Sequence, residues 1–165
     1  MEVPLAVRPL FVAAGWQPGR CVGVDSRVPQ RHPAFEVLQE FGGLHVGRSE
    51  GGGIECGRAD LEFCFREGDL DILSTWSELL RSRLVEVAEV QNRHGWLFVD
   101  EAGRCFGASQ IHDAFYFEGQ NFGEAVERLL LGYRSRPMLR PDQHQVDLYG
   151  ETFARGHSAI FEFYP

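Results

Sequence analysis

Six histidines, four cysteines and a few acidic pairs are the side chains here that could make or break bonds. His32, His45, His94, His112, His144 and His157 contain no H-E-x-x-H. No two stand at the i, i+4 spacing that sets two imidazoles on one helix face. The densest stretch is C-terminal: His144, Asp147 and His157 fall within 14 residues, and His112 with Asp113 could join them in space. Brought together they would make a small metal-dependent hydrolase; apart, they are loop histidines facing water. Cys21, Cys56, Cys64 and Cys105 are dispersed without C-x-x-C, which predicts reduced, mostly buried thiols rather than zinc ligands or disulfides. No signature marks one of them as a nucleophile, and no serine nucleophile is expected. Asp69/Asp71 and Asp100/Glu101 sit at helix starts or turns, where carboxylates oppose unpaired N–H groups and the helix dipole. That local role accounts for them without catalysis. Gly51-Gly52-Gly53 reads as a loop tip between strands, since a phosphate cradle needs a strand–helix switch and a Lys. No catalytic residue, metal ligand or cofactor is expected.

The elements that would position any site can be read from punctuation and period. Pro9 opens a first helix with Leu10, Phe11, Ala13 and Ala14 on its apolar side; Gly15 ends it, and Trp16 can fold back onto it. Gln17-Pro18-Gly19-Arg20 has the residues of a type II turn. Pro33 opens a second helix through Ala34, Leu38 and Phe41, ended by Gly42-Gly43, and Leu44 to Val46 makes a small strand. Leu61, Phe63 and Phe65 alternate as a strand does. The stripe Ile72, Leu73, Trp76, Leu79 and Leu80 predicts a helix over about 70–83, although Thr75 and Glu78, at capping-box spacing, suggest a later start for its regular part.

Val85 to Val90, Trp96 to Val99 and Arg104 to Phe106 form a meander of three strands. Its second turn places Gly103 where a positive φ is required. Residues 112–117 are a candidate for one more strand. Asn121 and Glu124 start a last helix, with Phe122, Ala125, Val126, Leu129 and Leu130 inward and Gly132 at its end. Arg134 to Pro141 reads as a basic connector, and Ser158 to Tyr164 as an apolar strand that must pair with a sheet edge or a second copy in a homodimer. The order argues one α+β domain over 1–165, a mainly antiparallel sheet with a strand meander flanked by about four helices. Trp16, Trp76 and Trp96 each adjoin an apolar stripe and are expected in the core.

Composition narrows the function. The formal charge is −8, and all 16 basic residues are Arg. Such a chain is poorly suited to nucleic acid, whose binding needs clustered positive charge. An acidic surface suits a basic protein partner and speeds encounter with it. Glu2, Pro4, Arg8 and Pro9 interrupt any leader-like start, and no apolar run reaches the ~18 residues of a membrane span. The expected location is the cytoplasm.

Three ordered blocks carry a resemblance: Ala14-Gly15-Trp16 with Pro18-Gly19-Arg20; Glu40-Phe41-Gly42-Gly43-Leu44; and Leu97 to Arg104 (through Asp100 and Gly103) with the later helix end Arg128 to Gly132. Their order and spacing resemble the SUKH superfamily, in particular its branch opening with AGW-x-PGR. The resemblance covers about residues 5–133 and leaves 134–165 as an extension. It implies an immunity protein of a bacterial polymorphic toxin system, blocking a cognate toxin domain, often a nuclease, by direct binding. The same superfamily also includes interaction modules outside toxin systems. The resemblance transfers no catalytic residue, and it names no contact residues because the contact surface varies with the toxin. It casts Gly15, Trp16, Pro18, Gly19, Arg20, Phe41, Gly42, Gly43, Leu44, Asp100 and Gly103 as structural.

Overall fold

A computed structural model describes residues 1–66 and 70–163. In chain order it has α1 (Arg8–Ala13), α2 (Pro33–Phe41), β1 (His45–Gly47), β2 (Asp60–Phe63), α3 (Leu70–Leu80), β3 (Val85–Val90), β4 (Gly95–Val99) and β5 (Cys105–Ser109). There follow β6 (Phe115–Gly119), α4 (Phe122–Leu131), β7 (Arg136–Met138), β8 (Gln145–Leu148) and β9 (Glu151–Ala154). β1 to β7 form one seven-stranded sheet in sequential order, antiparallel throughout, and β8–β9 is a separate hairpin. The fold is α+β.

Strand alternation divides the core in two. Leu61, Phe63, Leu97, Val99 and Cys105 face α1, α2 and α4, where Phe11, Phe41, Phe63 and Phe122 cluster; the Phe41 and Phe122 rings stack at 5.0 Å. Phe98, Phe106, Phe115 and Phe117 face the other way and meet α3, whose Trp76 stacks on Phe115 at 4.1 Å. A third cluster of Ala114, Leu139, Val146, Phe153 and Ile160 seats the β8–β9 hairpin.

Local chemistry explains the joints. At the end of α1 the Gly15 N–H donates to Val12 O and the Trp16 N–H to Phe11 O, a Schellman pair that needs the left-handed φ of +95° at Gly15. Trp16 thereby folds back onto Phe11, ring to ring at 6.4 Å. The Asn121 side chain accepts from the Glu124 N–H to begin α4.

Several elements depart from the sequence reading. α3 starts at Leu70, leaving Thr75 inside it: its stripe packs on the second core, and burying that stripe outweighs the ~1 kcal/mol of a side-chain cap. It stops at Leu80 rather than 83, where Arg81 turns left-handed (φ 49°). β2 ends at Phe63, and Phe65 lies beneath the Arg27 guanidinium, 5.1 Å away. On α1, Phe11 is buried but Ala13 is exposed and Leu10 is 37% exposed, so the expected apolar side is only partly covered.

The supposed connector contains β7, whose Pro137 is tolerated because an edge strand lacks an outer ladder partner. The tail is not a strand over its described residues. Instead the Phe161 N–H donates to Pro137 O at 2.8 Å, and the Phe161 ring stacks on Phe117 at 4.0 Å. Its apolar side chains are taken up by the chain's own core; Tyr164 lies outside the described residues. Among the described residues no helix is long and apolar enough to cross a membrane.

Candidate functional site

The residues singled out by the three blocks gather at two joints. Arg20 donates to Glu40 O (2.7 Å) and Gly42 O (2.8 Å), covering the open carbonyls of α2. The Trp16 indole donates to Glu40 Oε1 at 3.1 Å, and the Pro18-Gly19 turn (Gly19 φ +81°) brings Arg20 round to this point. Phe41 and Leu44 are buried, Gly42 leaves no room for a Cβ against Leu38 O, and the Gly43 N–H donates to Phe63 O. The second joint is the β4–β5 turn. Buried Asp100 accepts from the Ala102 and Arg104 N–H groups at 3.0 and 2.8 Å and from Arg104 Nε at 2.8 Å, beside Gly103 at φ +82°.

The side chains with catalytic potential are dispersed. Asp147 accepts from the Thr152 hydroxyl, His157 Nδ1 accepts from the Ala159 N–H, and Asp113 pairs with Arg140 at 2.6 Å. Among the described residues no group of three or more His, Cys, Asp or Glu could hold a metal ion. Asp69 lies outside the described residues. Of the thiols only Cys105 is buried; Cys56 and Cys64 are half-covered and Cys21 is exposed, against the expectation of mostly buried cysteines. Burial raises the pKa of Cys105, Cys56 and Cys64, the direction of unreactive thiols.

One spelling escaped the sequence reading: Gly47-Arg48-Ser49-Glu50-Gly51 matches G-x-S-x-G. A nucleophile elbow joins a strand to a helix, whereas this segment leaves β1 for a loop that returns to β2. Ser49 Oγ accepts from Asn92 Nδ2, and His45 Nε2 faces Asp60. No hydrogen bond joins Ser49 to His45 among the described residues, so the serine–imidazole–carboxylate relay is not formed.

One cavity, of about 320 Å³, has a buried carboxyl on its lining. It lies between β5–β6, the loop around Cys56, the end of α4 and the β8–β9 hairpin. Alternation in β6 sends Phe115 and Phe117 to the second core, which turns Tyr116 and Glu118 to this side. Gly107 lets them lie across the sheet, because a Cβ there would stand 2.5 Å from the Tyr116 ring and 2.8 Å from Glu118 Oε1. Glu118 is 2% exposed; Oε1 accepts from the Ser135 hydroxyl at 2.9 Å, while Oε2 has no hydrogen-bond partner among the described residues. Burial pushes its carboxyl up to about 7, against the opposing pull of Ser135 and Arg128.

The wall opposite is made by a strained residue. Tyr149 and Gly150 connect β8 to β9 with φ of 55° and 74°, a type I′ turn in which a tyrosine replaces the usual Asn, Asp or Gly. The Tyr149 hydroxyl accepts from the Ser135 N–H at 2.8 Å, and Arg134 lies over its ring at 5.2 Å. Tyr133 lines the next wall under Arg128, and Ile111, 63% exposed, stands at the rim with His94. An acceptor at the base, tyrosines at the sides and Ile111 at the rim form a geometry for binding, and the lining thiol of Cys56 is shifted by burial toward its unreactive protonated form.

Sequence reasoning found neither Glu118 nor Tyr149. The available signals were a Glu continuing the Phe115–Phe117 alternation on the opposite face, and Tyr-Gly as the two residues between Gln145–Leu148 and Glu151–Ala154.

The profile of the SUKH-3 immunity protein family matches residues 3–132. The chain belongs to the SUKH-3 immunity protein family. No curated protein and no solved structure matches it. Membership in a family of immunity proteins makes a protein toxin its class of partner. The family match ends at 132, so Glu118 and Tyr116 come from the matched part, whereas Tyr133, Ser135, Leu148 and Tyr149 come from beyond it.

Proposed function

We propose that this chain is the immunity partner of a bacterial polymorphic toxin, acting in the cytoplasm. It neutralises a cognate nuclease toxin domain by direct, non-catalytic binding. The observation that carries the reading is the family match over 3–132. The formal charge of −8 supports it, since an acidic protein complements the basic face with which a nuclease holds its substrate. Among the described residues His144, Asp147 and His157 do not form a group that could hold a metal ion, which favours binding over a metal-dependent hydrolase.

Co-expression with the toxin domain encoded beside it tests the reading. Cells expressing the toxin should survive only with this chain, and the two proteins should co-purify as a stoichiometric complex. Continued toxicity with no complex would remove the immunity assignment and leave an interaction module with another partner.

A further inference from the structure

We infer that the Glu118 cavity is a socket for one basic side chain of the toxin, an arginyl or lysyl head group, completed by residues 133–150. The inference rests on the immunity reading for the source of that cation. Three independent observations point to it. First, the base of the cavity holds a buried carboxyl with one oxygen unpaired among the described residues, a costly arrangement that an incoming donor would relieve. Second, the walls carry Tyr116, Tyr133 and Tyr149, and two of these rings already hold a guanidinium, Arg128 over Tyr133 and Arg134 over Tyr149, the contact an aromatic lining offers a cation. Third, at about 320 Å³ the space lies at the small end of ligand pockets (~300–1,000 Å³), a size for a side chain rather than a large metabolite.

The nearest internal cation does not fill this role. Arg128 donates to Arg134 O at 2.6 Å and lies over the Tyr133 ring, and Arg134 is paired with Glu151 at 2.9 Å. Both arginines brace the wall and leave Glu118 Oε2 unmet. The strain at Tyr149 fits the same purpose. A left-handed tyrosine costs about 1–3 kcal/mol, and here that conformation fixes a phenol over Ser135 and the socket. Because Tyr133, Ser135, Leu148 and Tyr149 lie past the family match, one wall of the socket belongs to this chain's own toxin specificity, on a base and rim that the matched part provides. A basic anchor buried at the centre of an interface is the kind of contact that carries binding energy.

Two arms test this. In the first, the full chain is titrated with N-acetyl-arginine methylamide, N-acetyl-lysine methylamide and uncharged N-acetyl-norleucine methylamide, while amide NMR shifts of Gly107, Glu118, Ser135 and Tyr149 are followed. The cationic probes should give saturable shifts at these positions, lost in Glu118→Gln; equal response to norleucine, or no saturable response, overturns the socket. In the second arm, Glu118→Gln should weaken toxin binding by about 30-fold or more. Ile111→Arg, a change at an exposed rim position that leaves the core untouched, should weaken it as well. Wild-type affinity in both variants refutes the socket while immunity stands. Saturable probes with no toxin binding by the unmodified chain would instead overturn the toxin as the source of the cation, together with the immunity reading.

Discussion

A buried carboxyl at the base of a cavity links stability to pH. Burial lifts Glu118 from the ordinary 4.5 to about 7, with Ser135, Arg128, Tyr116, Tyr149, Cys56 and Cys105 around it. Between those two values the unfolded chain has released its proton and the folded chain still holds it. Stability from this group is therefore present below pH 4.5 and lost as pH rises to about 7. Glu118→Gln keeps the shape without the titration. Relative to it, the wild-type chain should lose on the order of 3 kcal/mol between about pH 4.5 and 8, read from urea midpoints of both proteins at each pH. Equal pH slopes would show that Glu118 is solvated. At this scale legibility was uneven. The α2 partners of Trp16 and Arg20, 20 to 24 residues away, were not legible, whereas the helix end at Gly15 and the turn at Asp100 were readable because turn and cap chemistry is local. Glu118 and Tyr149 were not, because their partners, Ser135 above all, lie 14 to 17 residues away across a fold that local patterns do not encode.

Elements built from a strong period were legible, and those recruited by an edge were not. The β3–β5 meander and the α4 stripe could be read because many residues repeat one instruction. β7 has three residues, one of them Pro137, and becomes a strand only because β6 offers an open edge. The tail illustrates the same physics: Phe161 and Phe163 have the composition of a strand, yet they serve as plugs, Phe161 on Phe117 and Phe163 against Trp76 at 5.6 Å. Phe161→Ala should therefore destabilise the protein by about 2–3 kcal/mol, less than a fully buried phenylalanine because one side remains open. In a protein of this size that lowers the melting temperature by about 5–10 °C. Glu162→Ala, changing the exposed residue beside it, should move the melting point little. Calorimetry of both variants checks this, and equal melting points would mean that the extension is not docked on the second core.

At the scale of the molecule, class and charge were the readable quantities: an α+β chain with an antiparallel sheet, and a surplus of eight negative charges. Charge acts at a distance that contacts do not. Steering of a basic partner speeds encounter and is screened over a Debye length of ~8 Å at physiological salt, whereas a buried pair such as the one proposed at Glu118 is screened far less. The two contributions separate in kinetics: rim and net charge govern association, and a buried charge pair governs dissociation. Raising NaCl from about 50 to about 500 mM should slow association with the toxin domain by about tenfold or more, while dissociation changes little. Glu118→Gln should do the reverse, speeding dissociation at every salt concentration and leaving the salt slope of association intact. Stopped-flow association and surface-based dissociation measurements on the two proteins give the four rates required. An association rate indifferent to salt would remove the acidic surface from the mechanism, and a variant that altered only association would place Glu118 at the rim instead of in the socket.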